Sequence, residues 1–256
     1  MADRENTFNV LGVRVSAVQI GDVTARMEDL IARREQTSYI TATDMHGIMQ
    51  AHHNPAFKNI LNSSCLTVPD GMPLVWLSRL KRHPLKRRVY GPDLMLAFCE
   101  LSSHKGYRHF FYGGAPGVAQ KLAGDLENRF PGMVVAGTYT PPFRSLSKEE
   151  DAEMVEQIRQ ASPDVLWVGL GTPKQERWMF EHRHLLNVPV LVSVGAAFDF
   201  HSGRKKQAPS WMREHGLECI YRLLQEPARL WRRYILYGPE FVFWITLDLL
   251  GLRRFE

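Results

Sequence analysis

Apolar residues follow two kinds of spacing along this chain. In some segments they recur every three or four positions, as Val23, Met27, Leu30 and Ile31 do, and this predicts one buried face of a helix. Elsewhere they form short continuous runs, which predict buried strands. Because the two kinds alternate, we expect an α/β fold, a parallel sheet with helices on both faces. The predicted strands lie near residues 38–42, 66–68, 109–112, 134–139, 165–168 and 188–194.

The pattern changes after Gly203, where no further strand signal occurs and the sequence becomes helical, basic and aromatic. We therefore predict an α/β core over residues 1–203 and a helical appendage over residues 204–256. The chain has a formal net charge of +5, and the appendage contains ten Lys and Arg against six Asp and Glu. A basic appendage suits nucleic acid, anionic lipid or a phosphorylated ligand, and charge alone does not choose among them.

A new helix is predicted to begin at Pro227. Helical spacing predicts that its three arginines share one face and that its apolar residues lie opposite. The apolar stretch 241–250 is shorter than the ~20 residues that a spanning helix needs. It either lies on a membrane surface or packs on the core, and both alternatives stay open. The arginines are Arg229, Arg232 and Arg233, and the apolar residues are Leu230, Trp231, Tyr234 and Ile235.

Four polar or glycine-rich turns follow predicted strands. Asp70 comes directly after the second strand, between a proline and a glycine. The other turns contain Gly113-Gly114, the segment 169–176 and the segment 195–200. Because open α/β sheets bind ligands at the carboxyl ends of their strands, we expect the four turns to form one site. Structural roles remain open for Asp70, which could cap the next helix or hold its turn, and for Asp199, which suits a buried structural acid.

The sequence lacks the motifs of several classes of enzyme. No G-x-G-x-x-G follows the first strand, no P-loop is present, and H-E-x-x-H is absent. No Asp-x-Asp occurs, so we expect no metal and no cofactor, with phosphate held by backbone amides and arginines. Three cysteines without a pairing pattern and a polar sequence at residues 1–6 lead us to expect a cytoplasmic protein.

Five segments resemble, in matching order, the motifs of the WecG/TagA/CpsF glycosyltransferases, and the likeness runs from about residue 38 to residue 239. A sixth segment, Gly216-Leu217-Glu218 through Arg222 to residues 226–234, resembles the end of that family's sequences. The five are Val68-Pro69-Asp70-Gly71-Met72-Pro73, Arg88-Val89-Tyr90-Gly91-Pro92-Asp93-Leu94, Gly113-Gly114 with Gly117-Val118-Ala119, Gly171-Thr172-Pro173-Lys174-Gln175-Glu176, and Gly195-Ala196-Ala197-Phe198-Asp199-Phe200 with Gly203.

The resemblance implies a Rossmann-like core of the type called GT-E, with a C-terminal appendage that helps complete the active site at the membrane. It implies an inverting, metal-independent transfer of a sugar from a nucleotide-sugar to a polyprenyl-diphosphate-linked sugar. The donor is expected to be a UDP-linked hexose, N-acetylhexosamine or uronic acid, used in cell-surface or exopolysaccharide biosynthesis. The expected partners are these two substrates and the inner surface of the cell membrane, without nucleic acid. Homo-oligomerisation stays open.

By the same resemblance, Asp70 is the general base and Arg88 is the second catalytic residue, while Gln175 contacts substrate. Gly113 and Gly114 are expected to approach the nucleotide. Many relatives carry T-x-N at the end of their second strand, whereas this chain reads Thr41-Ala42-Thr43-Asp44, so the expected sugar contact is either Thr41 or Thr43. The remaining expected substrate contacts are Asp199, Arg229, Arg232 and Arg233.

A second class of function fits the basic appendage, namely a membrane-associated module that binds nucleotide or nucleic acid without transferring a sugar. Its support is the charge of residues 204–256. The turns clustered at strand ends in the core are more than a binding module needs. Hydrolysis of the donor sugar in the absence of acceptor would separate an enzyme from a binding protein.

Overall fold

A computed structural model describes residues 6–255 of the chain. All six predicted strands are present, and two short strands precede them. The eight strands are β1 (Thr7–Val10), β2 (Val13–Ser16), β3 (Ser38–Thr43), β4 (Leu66–Pro69), β5 (Arg108–Gly113), β6 (Val134–Tyr139), β7 (Val165–Gly169) and β8 (Val190–Ser193).

Helices separate the strands of the main sheet and are the only regular secondary structure of the described chain after β8. One helical segment, Arg232–Leu236, has the wider π-helical turn. The α-helices are α1 (Ile20–Arg33), α2 (Met45–His53), α3 (Pro55–Asn62), α4 (Met72–Leu80), α5 (Gly91–Lys105), α6 (Val118–Arg129), α7 (Lys148–Ala161), α8 (Lys174–His182), α9 (Ala197–His201), α10 (Ser210–Glu214), α11 (Glu218–Gln225), α12 (Pro227–Trp231) and α13 (Tyr237–Leu249).

The main sheet has six strands in the order β4-β3-β8-β7-β5-β6 and is parallel. Parallel strands need crossover connections, and helices supply them here. The predicted α/β class, with a parallel sheet flanked by helices and a helical C-terminal region, is confirmed. A separate antiparallel hairpin joins β1 to β2.

Helix beginnings follow the sequence signals. Ser147 accepts a hydrogen bond from the backbone N–H of Glu150 at 3.2 Å, and Glu150 accepts one from the N–H of Ser147 at 2.8 Å. This reciprocal pair is a capping box at the start of α7, and it matches the Ser-x-x-Glu spacing of residues 147–150. Asp93 and Gln175 lie in the first turns of α5 and α8.

The chain folds into two compact units. Unit 1 takes in the chain up to Gln19, then Thr43–Tyr90, and the chain from Gln207 on; unit 2 comprises Ile20–Ala42 and Gly91–Lys206. Unit 1 is therefore built from three separated stretches of sequence, one of which contains most of residues 204–256. The functional division into a core of 1–203 and an appendage stays a prediction.

The core of unit 2 is built on the middle strands of the sheet. Leu166 and Trp167 of β7, Phe110 of β5 and Leu191 of β8 are fully buried. His109 is fully buried among them, and its Nδ1 accepts a hydrogen bond from the indole Nε1 of Trp167 at 2.9 Å. Burial lowers the pKa of His109 to about 3, so the imidazole is neutral in the folded protein.

Candidate active site

Asp70 stands at the end of β4, within unit 1. Its backbone N–H donates to the carbonyl of Thr43 at 2.9 Å, and its backbone carbonyl accepts from Arg88 Nη1 at 3.3 Å. The N-cap residue of the following helix is Gly71. Asp70 is therefore not that N-cap residue, while its main chain does hold the turn through these two bonds.

Arg88 is held from several sides. Its Nη2 donates to Glu218 Oε2 at 2.5 Å, and its guanidinium lies 4.0 Å from the centre of the Tyr90 ring. Burial lowers the pKa of Arg88, but the negative charges of Glu218 and Asp70 outweigh burial and leave the pKa above its usual value. The side chain is thus a fixed, permanently charged cation beside the main chain of Asp70.

Glu218 lies in the sixth family segment, and no role was predicted for it. It is 6% exposed and begins α11, where a carboxylate is favoured by the helix dipole. Tyr90 donates its hydroxyl proton to Glu218 Oε1 at 3.0 Å, and Arg222 Nη1 lies 4.0 Å from the same oxygen. Burial, followed by the charges of Glu218 and Asp70, raises the pKa of Tyr90 far above its ordinary value, so the phenol remains a donor.

A second ion pair in unit 1 joins Arg233 to Asp44. Asp44 is the N-cap residue of α2, and its Oδ1 accepts from the N–H groups of His46 and Gly47 at 2.9 and 3.2 Å. Burial raises the pKa of Asp44, but the charges of Arg233 and His46 and the Gly47 N–H outweigh it and lower the pKa below its usual value. Burial likewise lowers the pKa of Arg233, whereas Asp44 and, more weakly, Asp70 raise it overall.

The helix after Pro227 differs from its predicted pattern. Arg233 turns toward Asp44, whereas Arg229 and Arg232 are exposed beside exposed Trp231 and Ile235. The predicted separation into a cationic face and an opposite apolar face is therefore wrong. The ion pair with Asp44 draws Arg233 inward, and Leu230 is the only one of the four predicted apolar residues that is buried.

One side of α13 packs on α2 and forms an ion pair with the residue that follows α4. The rings of His52 and Trp244 are 5.1 Å apart, and Lys81 Nζ, just after α4, lies 2.5 Å from Asp248 Oδ2. The other side exposes Val242 and Phe243, which are 63% and 56% exposed. The helix therefore packs on the protein with one side and leaves an apolar strip on the other. Among residues 6–255, no helix has the length and apolar character needed to cross a bilayer.

Three of the four predicted turns meet within unit 2. The Gly114 N–H donates to the carbonyl of Gly169 at 3.1 Å, and a Cβ on Gly113 would lie only 2.6 Å from that carbonyl oxygen. The Phe198 ring fills the space next to Gly169, where a Cβ would lie 2.5 Å from it. The main chain of the turn after β5 therefore packs on the main chain of the turn after β7, and the Phe198 ring from the turn after β8 packs on the latter. Only glycine fits at Gly113 and Gly169.

Gln175 organises the turn after β7. Its Oε1 accepts from the N–H of Gly171 at 3.1 Å, and its Nε2 donates to Glu176 Oε1 at 2.8 Å. Thr172 Oγ1 donates to the same Glu176 oxygen at 3.0 Å. Both Gln175 and Glu176 are buried. In this structure the Gln175 amide therefore braces its own loop with both of its polar atoms.

The remaining predicted residues differ in their surroundings. Thr41 and Thr43 are both buried in β3, and the Thr41 hydroxyl has no hydrogen-bond partner within the described part of the chain. Asp199 lies 3.0 Å from both Arg204 Nη1 and Lys205 Nζ, so it forms local ion pairs in unit 2. Within residues 6–255, no group of three His, Cys, Asp or Glu side chains could hold a metal ion.

The chain belongs to the glycosyl transferase WecG/TagA/CpsF family, whose model matches residues 8–255, and it is a glycosyltransferase. A relative from Bacillus spizizenii is named N-acetylglucosaminyldiphosphoundecaprenol N-acetyl-beta-D-mannosaminyltransferase; it is 32% identical over 88% of this chain and 84% of its own length. A relative of the same name from Bacillus subtilis is 33% identical over 69% and 67%. One from Staphylococcus aureus is 26% identical over 90% of each chain. The resemblance seen in the sequence is thereby confirmed.

Proposed function

We propose that this chain transfers a sugar, with inversion and without a metal, from a nucleotide-sugar to a polyprenyl-diphosphate-linked sugar. The names of the relatives support the acceptor class and the type of reaction. The observation that carries the proposal is the cluster in unit 1, where Arg88 and Arg233 are each paired with a carboxylate and both carry charge that interacts with Asp70.

In the proposed reaction, Asp70 accepts the proton of the acceptor hydroxyl while that oxygen attacks the anomeric carbon of the donor. The bond from the anomeric carbon to the diphosphate breaks, and its electrons leave with the nucleotide diphosphate. Arg88 and Arg233 stabilise the negative charge that develops on the leaving group. Two positioned guanidinium groups thus supply the charge that a divalent metal supplies in other transferases.

We assign donor contacts to unit 2 by the packing of its turns. The nucleotide is assigned to the turn of Gly113 and Gly114, which leads from β5 toward α6; because the Gly114 N–H is bonded to the Gly169 carbonyl, other main-chain groups of this turn would contact the phosphates. Gln175 holds the turn after β7, and the Thr41 hydroxyl is buried without a protein partner within residues 6–255, which favours Thr41 over Thr43 as the sugar contact. Asp199, paired with two cations, is a weaker candidate for direct contact.

The donor sugar is proposed as a class. The relatives are named for N-acetylmannosamine transfer. This chain reads Thr41-Ala42-Thr43-Asp44 where many family members carry T-x-N, so a UDP-linked hexose, N-acetylhexosamine or uronic acid remains within the proposal. Hydrogen-bonding residues at a sugar site control which donor is accepted, since an unpaired buried polar group is costly.

We propose that the enzyme acts at the inner surface of the cell membrane. Exposed Val242, Phe243, Leu250 and Leu252 form an apolar strip at the end of unit 1, and exposed Arg229 and Arg232 lie in the preceding helical segments. Apolar side chains next to cations are typical of helices that lie on anionic lipid. The exposed apolar side chains favour lipid over nucleic acid as the partner of this region, which weakens the alternative of a nucleic-acid-binding module.

A donor screen tests the proposal. Purified protein is incubated with individual UDP- and GDP-sugars and with a polyprenyl-diphosphate-linked N-acetylglucosamine, and both nucleotide release and the lipid-linked product are measured. We expect one UDP-sugar to give product only when the acceptor is present. Failure of every donor to give product, together with tight binding of nucleic acid, would contradict the proposal.

A further inference from the structure

We infer that Glu218 is a positioning residue for Arg88, so that the start of α11 controls the transfer step. The inference rests on the proposed role of Arg88 beside the leaving diphosphate. Glu218 lies 130 residues from Arg88 in the sequence and uses both carboxylate oxygens on side chains around the site, Oε2 for Arg88 and Oε1 for Tyr90.

The surroundings leave the Arg88 side chain little freedom. Glu218 fixes Nη2 at 2.5 Å, the carbonyl of Asp70 fixes Nη1 at 3.3 Å, and the centre of the Tyr90 ring lies 4.0 Å from the guanidinium. Tyr90 is itself held by its hydrogen bond to Glu218. One carboxylate therefore fixes both the end of the arginine and the ring that it stacks on, and with them the distance from the cation to Asp70.

Burial of an arginine without such a partner would cost desolvation free energy and would leave the side chain mobile. An ion pair that is nearly excluded from water is a strong constraint, because either charge left alone keeps its desolvation penalty. Arginine side chains also lose considerable rotamer freedom when they are fixed. Because the ion pair with Glu218 fixes Arg88 before substrate binds, the guanidinium does not have to reorganise during the reaction. A misplacement of about 1 Å is enough to cost ~100-fold in rate.

The first test is Glu218→Gln, which keeps the size of the side chain and removes its charge. We expect kcat to fall at least about tenfold while KM for the nucleotide-sugar changes less than about threefold, because Arg88 remains present but is no longer fixed. Tyr90→Phe removes one hydrogen bond to Glu218 and keeps the ion pair, and we expect it to reduce kcat less than about threefold. A lower KM in Glu218→Gln would overturn the inference, since it would mean that Glu218 competes with the anionic ligand for Arg88.

The second test combines Glu218→Gln with Arg88→Gln. If Glu218 acts through Arg88, its loss should have less than about a twofold effect on kcat once Arg88 is gone. It should even raise the melting temperature of that background, because a buried charge without its partner is removed. The same fold loss of kcat in both backgrounds would show a general structural role and overturn the inference.

Asp164→Asn is the matched control. Asp164 is also a buried carboxylate, 5% exposed, and it pairs with Arg34 and accepts from the N–H of Arg108 at 2.8 Å within unit 2. Its substitution should lower the melting temperature and leave kcat unchanged.

The proposed function and this inference can fail separately. Full activity of Arg88→Gln would contradict the proposed role of Arg88 in the transfer. Low activity of Arg88→Gln together with full activity of Glu218→Gln would contradict only the role of Glu218.

Discussion

The two units hold their candidate residues by different means. In unit 1, Asp70 is surrounded by side chains that are fixed by charge, namely Arg88 with Glu218 and Arg233 with Asp44. In unit 2, the turns after β5, β7 and β8 are fixed by the close approach of main chain to main chain, at Gly113 and Gly169, and by the ring of Phe198. The first arrangement suits a reaction in which charge moves, and the second suits a surface shaped for a ligand.

This difference predicts opposite sensitivities. In unit 1, removal of a charge without any change of shape should strongly reduce turnover and stability, because a buried charge that loses its partner is costly. In unit 2, addition of a single methyl group should reduce stability, because the backbone atoms there leave no room for it.

The largest expected effect is that of Asp70→Asn. The substitution preserves shape and removes the proposed general base, so turnover should fall by ~10²–10⁴-fold. The affinity for nucleotide, measured by calorimetry, should change little because the donor contacts are assigned elsewhere. Wild-type turnover in this variant would move the base to Asp199 or to another residue.

Gly113→Ala should destabilise the protein by about 3 kcal/mol or more, because φ is +127° at this position and the new Cβ would meet the Gly169 carbonyl oxygen at 2.6 Å. Gly117→Ala is the control, with a φ of +81° and no atom within 4 Å of the new Cβ. It should cost only ~1 kcal/mol, from backbone strain alone. Equal losses in chemical denaturation would show that packing at Gly113 is not what fixes the turn.

Acid should destabilise the protein through His109. The pKa of this group is about 3 in the folded protein, because of burial, against 6.5 as its ordinary value. Unfolded chains therefore bind a proton that the folded protein excludes, and stability is lost as the pH falls from about 6.5 toward 3. At pH 5 the loss is roughly 2 kcal/mol. In His109→Asn, whose side-chain oxygen can still accept from Trp167, the slope of unfolding free energy against pH should decrease; an unchanged slope would assign the effect to other groups.

Membrane association should depend on Arg229 and Arg232 and much less on Arg233. Replacement of both exposed arginines by glutamine removes about 1 to 2 kcal/mol of attraction to anionic lipid, or roughly tenfold in vesicle binding, less at high salt. Lys121→Gln with Lys148→Gln, two exposed lysines of unit 2, is the control and should sediment normally. Normal sedimentation of the arginine variant would show that the apolar strip alone binds the membrane.

The smallest expected effect is that of metal removal. Because the proposed transfer relies on Arg88 and Arg233, excess EDTA should leave turnover unchanged. A loss of activity that only added Mg²⁺ or Mn²⁺ restores would show that a carboxylate site for a metal has been missed.

Local signals predicted the fold well. The apolar runs that predicted β3 to β8 are properties of neighbouring residues, and all six strands are confirmed. The β1–β2 hairpin was missed, although its tight turn is built on Leu11-Gly12, both with positive φ, and on the Asn9 side chain, which accepts from the Gly12 N–H at 2.9 Å.

The ion pairs of unit 1 could not be predicted in the same way. Asp44 and Arg233 are 189 residues apart, and Glu218 and Arg88 are 130 apart, so no local pattern relates them. The π-helical segment Arg232–Leu236 was not predicted either, since nothing in these residues departs from ordinary helical sequence. The faces of the arginines were wrong because the partner of Arg233, Asp44, is distant in the sequence. The assignment of Asp70 and Arg88 came from the family motifs and stays a prediction.

The long separation between the partners also sets an order of events during synthesis. Asp44 leaves the ribosome early, and the arginine that neutralises it follows only after 189 further residues. At ~5–20 residues per second, the polypeptide waits on the order of ten seconds or more before this part can close. The strands and helices of unit 2 are complete by then. A polypeptide that stops before residue 218 carries Asp70 and Arg88 but lacks both Glu218 and Arg233, so the two ion pairs of unit 1 form only when synthesis is nearly complete.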